Sequence, residues 1–380
     1  MTQLMDFYGK YTQGSGAVLA NADKVWSALA DPEVLASYEN SLRRDLVKSG
    51  IAVEKLRDWH VMDVGTGRQA LAFLNMGARS ISHFDISAEN VARVSAYIDE
   101  SQIGGRLSTY CCDVVTTDLG SEQYDFVYLN GIAQHFSDVG RGLANCIRAL
   151  KPGGYLWLYF YRSGTFDNFV LYLLRDLAYG SNIASDQNIL REYFLASLMA
   201  YSEDAKKNYL SSIFIDGVFT RYARLYTPAT YLSFADACGL EVVSSSGLDP
   251  LGREVDHYFA RAAAVVTFRK TRNNADLESA RHMLAPEGEV DQLDPSHYDD
   301  PNILRTIELY RRVRSRLCTP SVPRSVTIAI VLRIFHFLAS KSRAAGYDVM
   351  HRHTDLQAML ENIDGLLADE YAESELTHGQ

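Results

Sequence analysis

Two aspartates and two glycines around residue 65 have the types and the spacing of a turn that binds a charged ligand. Asp63 lies near the end of an apolar run, Gly65 and Gly67 follow it, and Asp85 ends the next apolar run. The pattern predicts strands over residues 60–64 and 80–85, with a helix over residues 68–75 between them. Such a β-α-β unit binds its ligand outside the carboxyl ends of the strands, over the helix N-terminus.

Two kinds of cofactor can use this turn. Gly65, Gly67 and Ala70, read as G-x-G-x-x-A and followed by Asp85, fit the fingerprint of a dinucleotide site. A pyrophosphate, however, requires a turn without negative charge, and Asp63 lies at the mouth of this one. A carboxylate there attracts an ammonium or a sulfonium group, and S-adenosylmethionine (SAM) carries both. Asp63 therefore favours SAM over NAD.

Several motifs resemble those of one enzyme family, the class I SAM-dependent methyltransferases. Residues 63–67, Asp-Val-Gly-Thr-Gly, resemble its first motif, and Cys112-Asp113 resemble the end of its third strand. Residues 124–130 and 150–154 resemble its fourth strand and the turn before its fifth. The family's third glycine is Gln69 here. The resemblance covers about residues 55–162 and 227–270, and it implies SAM as the cofactor and S-adenosylhomocysteine as the product.

The resemblance also implies which residues hold the cofactor. Asp85 matches the acid that binds the ribose hydroxyls, and Asp113 matches the residue beside the adenine, although a plain turn acid is the alternative for Asp113. Asn130 holds either the amino group of the cofactor or its adenine. The implied cofactor-binding set is Asp63, Gly65, Gly67, Asp85, Ile86, Asp113, Val114, Asn130 and Gly131.

The expected fold is α/β, a doubly wound, seven-stranded and mainly parallel sheet. Strands and helices alternate over residues 51–160, which requires right-handed crossovers between parallel strands. The other five strands are predicted over residues 107–112, 124–130, 155–161, 241–245 and 258–268. The predicted domains are an N-terminal helical cap (1–50), the SAM-binding core (51–162), a helical insert (163–226), the end of the core (227–272) and a C-terminal helical extension (273–380).

Three residues are candidates for catalysis. His135 follows the fourth strand, at the edge that lies nearest the transferred methyl group in the family, and a histidine suits proton removal near neutral pH. The alternatives for His135 are a wall of the cofactor pocket or plain packing. Tyr11 has a phenol that can orient a nucleophile, with helix packing as its alternative, and Tyr159 lies near the carboxyl end of the fifth strand.

The candidates for substrate binding are aromatic or cationic. Tyr8 belongs to a segment that lies across the cofactor mouth in similar enzymes. Arginines anchor carboxylates or phosphates, with solvated surface charge as the alternative. The predicted substrate-binding set is Tyr8, Tyr161, Arg162, Arg221, Arg224 and Tyr226.

Composition restricts the partners. The net charge of −10 disfavours a protein that holds nucleic acid by charge alone. Five cysteines without a pairing pattern suggest reduced thiols and a cytoplasmic enzyme. No metal-ligand spacing and no membrane segment are expected. Residues 354–372 predict a helix with one apolar face, which packs on its own chain or forms a homodimer through the C-terminal helices.

The resemblance and these residues together predict a metal-independent, in-line methyl transfer from SAM to an oxygen or nitrogen of a small molecule. The lid residues hint at an acidic or partly aromatic substrate. Two alternatives stay open. One is a methyltransferase that acts on protein or tRNA, and the other is a non-catalytic partner subunit that keeps the fold.

Overall fold

The structure is a computed structural model that describes residues 32–101, 105–180, 222–246, 263–271, 276–285, 291–319, 322–341 and 349–371. The chain divides into two compact units. The first comprises residues 1–163, 221–256 and 261–290, and the second comprises residues 164–220, 257–260 and 291–380. The predicted helices over residues 17–30 and 189–201 lie outside the described residues.

The first unit is built on a seven-stranded sheet of order β3-β2-β1-β4-β5-β7-β6. Strands β1 to β5 are parallel, whereas β7 runs antiparallel to both β5 and β6. This confirms the predicted mainly parallel, doubly wound sheet. The strands are β1 (His60–Val64), β2 (Ser80–Asp85), β3 (Leu107–Cys111), β4 (Tyr124–Asn130), β5 (Leu150–Tyr161), β6 (Leu240–Ser246) and β7 (Ala263–Lys270).

Helices cover both faces of this sheet. The helices of the first unit are α1 (Pro32–Lys48), α2 (Arg68–Asn75), α3 (Ala88–Ser101), α4 (Val139–Ala149), α6 (Pro228–Ala237) and α7 (Leu277–Ala280). One buried cluster contains residues of α1, α2 and α3 together with Trp157, and the other contains residues of α4 and α6 together with Leu156 and Leu158. Successive residues of β5 therefore pack against the helices on opposite faces of the sheet, as a side-chain period of two requires.

Strand boundaries differ from the prediction by one residue in β3 and β6 and by more in β5 and β7, and residues 258–262 of the last predicted strand lie outside the described residues. β5 begins at Leu150 rather than at residue 155, because Leu150 already pairs with Tyr124 ahead of an irregularity in the ladder. β7 ends at Lys270 rather than at residue 268. The ammonium group of Lys270 donates to the carbonyls of Ile147 at 3.0 Å and Leu150 at 2.6 Å, and these bonds hold the end of β7 against the end of α4.

The second unit consists of helices in its described part, α5 (Phe166–Gly180), α8 (Pro301–Leu317), α9 (Arg324–Lys341) and α10 (Val349–Tyr371). The predicted apolar face of α10 is largely buried, at Leu356, Leu360, Ile363 and Leu367. Ion pairs from Arg305 to Glu361 and from Arg312 to Asp364 join α8 to α10. This face packs within its own chain, so a homodimer through the C-terminal helices stays a prediction that needs other surfaces.

Within the described ranges, no helix combines the length and the apolar character that crossing a bilayer demands.

Candidate functional site

Asp63 stabilises the glycine turn that follows β1. Gly65 and Gly67 have positive φ angles of 129° and 83°, a region that favours glycine. The carboxylate of Asp63 accepts a hydrogen bond from the backbone N–H of Ala70 at 3.2 Å, so it satisfies a free donor in the first turn of α2. An added Cβ on Gly65 would meet nothing within 4 Å, which leaves room for a ligand against this backbone.

Asp63 is almost fully buried, and its environment disfavours its charge. The pKa of Asp63 is raised to about 7, mainly by burial and also by the neighbouring charge of Asp85, although the hydrogen bond from Ala70 and the charge of Arg68 lower it. A carboxylate held in this way gains from a cationic group placed beside it.

Asp85 ends β2 and is bonded at both carboxylate oxygens. Oδ1 accepts from the N–H of Ser87 at 2.6 Å, and Oδ2 accepts from the amide of Asn90 at 2.9 Å. Burial raises the pKa of Asp85 to about 7 although these hydrogen bonds lower it. The adjacent Ile86 is half-buried. The bonds fix the orientation of the carboxylate while each oxygen keeps a second lone pair for a ligand.

Asp113 follows β3 and builds a turn. Its Oδ1 accepts from the N–H of Val115 at 2.9 Å, and its carbonyl accepts from the N–H of Thr117 at 2.9 Å. Val114 is buried, whereas Asp113 is half-buried. The turn role that was the alternative for Asp113 is therefore present, and the residue lies just beyond the end of β3, next to the end of β2.

The turn after β4 carries Asn130 and Gly131. Asn130 is exposed. Gly131 has a φ of 65° and donates to the carbonyl of Tyr159 at 3.0 Å. A Cβ on Gly131 would lie 3.4 Å from the ring of Tyr159, an ordinary contact, so the positive φ rather than crowding favours glycine at this position.

Gln134 and His135 fasten this turn to the returning end of the insert. Nδ1 of His135 lies 2.8 Å from the carbonyl of Tyr222, which only accepts, so Nδ1 carries the proton. The Gln134 amide donates to the carbonyl of Gly131 at 2.6 Å and lies 3.3 Å from Nε2 of His135. If the Gln134 amide were turned over, its Oε1 would face the carbonyl oxygen of Gly131, and two acceptors would meet. The lone pair of Nε2 therefore faces an amide donor.

The same geometry leaves one acceptor over. Gln134 is fully buried, and its Oε1 has no hydrogen-bond partner among the residues that the structure describes. A buried acceptor of this kind costs roughly 1–3 kcal/mol. An N–H or O–H group of a ligand would remove that cost.

An aromatic row leads along β5 to its carboxyl end. The rings of Tyr128 and Trp157 stack at 4.4 Å, Trp157 and Tyr159 follow at 6.5 Å, and Tyr159 and Tyr161 meet at 5.8 Å. Tyr159 and Tyr161 are half-buried, unlike Trp157. Trp157, Tyr159 and Tyr161 stand at alternate positions of β5 and so share one face of the sheet, and the last two are the ones that a ligand could contact.

Arg162 and Tyr226 are buried where the insert begins and ends. They form an isolated bridge, and Ser163 donates to the carbonyl of Tyr226 at 3.1 Å. Arg162 is 0% exposed, so the alternative of a solvated surface arginine is wrong for it, and burial lowers its pKa. The Tyr226 hydroxyl donates to the carbonyl of Leu284 at 2.8 Å, which favours a packing role over substrate contact.

Arg224 is half-buried, and its guanidinium lies 5.2 Å from the ring centre of Tyr222. Its backbone N–H donates to the carbonyl of Gln134 at 2.9 Å. Tyr8, Tyr11 and Arg221 lie outside the described residues.

This edge of the sheet lies in the part of the chain that is similar to known proteins. Residues 62–158 match a family described as the methyltransferase domain. Curated relatives include ubiquinone biosynthesis O-methyltransferases of Rhodopseudomonas palustris (29% identical, 33% of this chain, 48% of the relative) and Nitrobacter winogradskyi (30%, 33% and 47%). The match thus spans about half the length of these relatives.

Residues 62–158 therefore have the sequence pattern of a methyltransferase domain.

Solved structures similar to this chain include two methyltransferases. One is the 1,6-didemethyltoxoflavin N1-methyltransferase of Burkholderia thailandensis, with 17% identity, coverage of 71% of this chain and 88% of that one, and a TM-score of 0.38. The other is a SAM-dependent methyltransferase of Mesorhizobium loti, with 16% identity, coverage of 57% and 92%, and a TM-score of 0.37.

The methyltransferase domain has a donor set that fits SAM. Two buried carboxylates flank a turn with open space at Gly65, and Asp63 at the mouth of the turn would repel the phosphates of a dinucleotide. Asp63, Asp85 and Asp113 would hold the cofactor, which supplies a methyl group on a sulfonium when bound. Among the described residues, no group of three His, Cys, Asp or Glu side chains is arranged to hold a metal ion.

Three residues near this site were not predicted. Tyr38 of α1 packs on the core, and burial raises its pKa to about 12, with Arg68 lowering the value and Asp63 raising it. His83 hydrogen-bonds the glycine turn from β2, and Gln134 holds the turn after β4. A histidine within the apolar run of residues 81–84 was the available sequence signal for His83. Tyr38 and Gln134 had none.

Proposed function

We propose that the protein transfers the methyl group of SAM to an oxygen or nitrogen of a small molecule by in-line displacement. The observation that carries the proposal is the trio of Asp63, Asp85 and Asp113, at or just beyond the ends of β1, β2 and β3. The sheet order β3-β2-β1 brings these ends side by side around the glycine turn. In parallel sheets the ligand binds at this edge.

The charge of the cofactor explains why two acids are kept buried there. Both carboxylates have raised pKa values, chiefly because they are buried. The ammonium and sulfonium groups would stabilise the ionised form of Asp63, and hydrogen bonds from the ribose hydroxyls would stabilise that of Asp85, so cofactor binding offsets the free-energy cost of burying the two charges. A pyrophosphate would add repulsion instead.

An oxygen acceptor on a polar, partly aromatic molecule has the best support. The curated relatives are named for O-methylation in ubiquinone biosynthesis, and we extend the acceptor atom to this chain as a proposal. Oε1 of Gln134 suits a substrate hydroxyl or amine as a donor. Tyr159 and Tyr161 offer an aromatic surface at the same end of β5.

His135 serves positioning rather than proton removal in this proposal. Its Nδ1–H is bonded to Tyr222, and its Nε2 faces the amide of Gln134. A general base needs its lone pair directed at the acceptor proton. The imidazole instead ties the turn after β4 to the end of the insert. Tyr161 and Arg224 stay candidates for substrate contact, and Tyr226 does not.

Calorimetric titration of the purified protein with SAM, S-adenosylhomocysteine and NAD tests the cofactor. Micromolar binding of the two sulfur ligands, lost in Asp85→Ala with the fold retained by circular dichroism, supports the proposal. Screening phenols, acids and amines for formation of S-adenosylhomocysteine then tests the acceptor. Binding of NAD alone would refute the proposal.

The same experiment separates the alternatives. SAM binding with turnover only on protein or tRNA would assign a macromolecular methyltransferase. An absence of binding to either sulfur ligand would leave a partner subunit that keeps only the fold.

A further inference from the structure

His83 is a buried histidine that the proposed chemistry does not use. It lies in β2 with 0% exposure, two residues before Asp85. Both ring nitrogens have a partner on another segment. Nε2 lies 2.6 Å from the carbonyl oxygen of Gly65 in the cofactor turn, and Nδ1 lies 2.7 Å from the hydroxyl of Thr109 on β3.

The partners fix the tautomer of this ring. A carbonyl oxygen only accepts, so Nε2 carries the proton and donates it to Gly65. Nδ1 is then the acceptor for the Thr109 hydroxyl. Burial lowers the pKa of His83 to about 4, so the imidazole is neutral around pH 7. The Thr109 hydroxyl therefore donates to Nδ1 of His83, and Nε2–H of His83 donates to the carbonyl of Gly65 in the turn.

The imidazole ring of His83 also packs against the glycine turn. A Cβ added to Gly67 would lie 2.6 Å from Val94 and 3.1 Å from Nε2 of His83, so this side of the turn is closed. The N–H of Gly65 donates to the carbonyl of Phe84 at 2.9 Å. Both backbone polar groups of Gly65 are thus bonded to β2, one through the main chain and one through His83.

We propose that His83 is a positioning residue for the cofactor, which it aligns by holding the carbonyl of Gly65. A trans peptide is planar, with its N–H opposite its C=O. With the Gly65 carbonyl turned down to His83, the N–H of Thr66 points away from the ring and serves as a donor to the bound cofactor. The inference rests on the proposed SAM binding and adds a residue to it.

Three variants test the role by SAM titration. His83→Leu keeps an apolar filler and removes both bonds, and it should weaken SAM binding about tenfold. His83→Gln keeps an amide N–H near the place of Nε2 and should bind SAM within about threefold of wild type. Thr109→Val removes the bond that orients the His83 ring and leaves Nδ1 as an unpaired acceptor, and it should weaken binding roughly two- to fivefold.

Ser82→Ala is the matched control on the same strand. Ser82 is buried and hydrogen-bonds Nε2 of His60 at 3.0 Å, away from the turn. This variant also loses a buried side-chain bond, and its SAM affinity should not change. In His83→Leu the KM for SAM should rise while kcat at saturating SAM stays near wild type, because His83 touches no reacting atom.

The outcomes separate the two proposals. A wild-type protein that does not bind SAM refutes the proposed function. A wild-type protein that binds SAM, with folded His83→Leu within twofold of it, overturns only the role of His83. If His83→Leu fails to fold, Thr109→Val decides the matter, and unchanged SAM affinity in that variant overturns the role.

Discussion

The carboxylate of Asp63 lies 3.2 Å from the backbone nitrogen of Ala70, so the residue expected to meet the cofactor also caps the helix beneath it. The two tasks use different properties of one side chain. Capping needs an acceptor oxygen, whereas attraction of a cation needs charge. A substitution that keeps the oxygen and removes the charge separates them.

Asp63→Asn should therefore fold as well as the wild type and bind SAM less tightly. The amide oxygen still accepts from Ala70, and the unfavourable burial of charge is gone, so the melting temperature at pH 8 should be equal or higher. SAM affinity should fall about tenfold, since a hydrogen-bonded charge is lost. Asp63→Ala, the control without a cap, should lose about 1 kcal/mol of stability as well. Equal SAM affinity in Asp63→Asn would contradict the role of the charge.

SAM binding should become tighter as pH rises from 6 to 8. Asp63 and Asp85 have pKa values of about 7 in the folded protein, against an ordinary value of 3.8. The cationic cofactor favours their ionised forms, so binding below pH 7 must release protons. Titrations in buffers of different ionisation enthalpy measure that release, which should vanish at high pH. Binding without proton release at pH 6 would show that the carboxylates lie elsewhere.

The same two groups should make the free protein less stable as pH rises between about 4 and 7. A raised folded pKa means that the native state binds more protons than the unfolded state in this window, so the free energy of unfolding falls with increasing pH. Thermal unfolding across the window checks the sign. In Asp63→Asn the slope should be shallower.

The pair of Asp85 and Asn90 allows a side-chain exchange. Asp85→Asn sets a second amide against that of Asn90, since Ser87 takes the one oxygen that is left, and should cost roughly 1–3 kcal/mol. Adding Asn90→Asp gives the new amide an acceptor and should restore most of the melting temperature. SAM affinity should stay low in the double variant, because the charge has moved away from the ribose site. Recovery of both would mean that Asp85 acts only through folding.

His135→Asn tests the histidine of the β4 turn. The asparagine amide nitrogen takes the position of Nδ1, so the bond to the carbonyl of Tyr222 survives while Nε2 is lost. A positioning role predicts kcat within about threefold of wild type, whereas loss of a general base would lower kcat by about 10²–10⁴-fold. His135→Leu, which also loses the bond to Tyr222, should show the larger defect. A steep loss in the asparagine variant would restore His135 as the base.

Much of the core followed from local sequence. The apolar runs of β1, β2 and β4 are short and are flanked by glycine or acid, so their bounds were predictable within a residue. The ends of β5 and β7 were not, because a bulge opposite Tyr124 and the two bonds of Lys270 extend the ladder. The bonds of Lys270 join residues at least 120 positions apart, and the pairing of Tyr124 with Leu150 joins two separate elements, so no local period of the sequence predicts either contact.

The candidate site divides in the same way. Asp63, the glycines and Asp85 were recognisable because a turn between strand and helix imposes their types and spacing on neighbouring residues. Burial of Arg162, bonding of Tyr226 to Leu284 and the place of His83 beneath Gly65 depended on segments that meet only after folding. The sequence by itself determined the glycine turn and the alternation of strands and helices along the chain, since both are local patterns of backbone freedom and apolar spacing. The tertiary structure alone decided which side chains hold that turn, because hydrogen bonds and desolvation depend on neighbours in space.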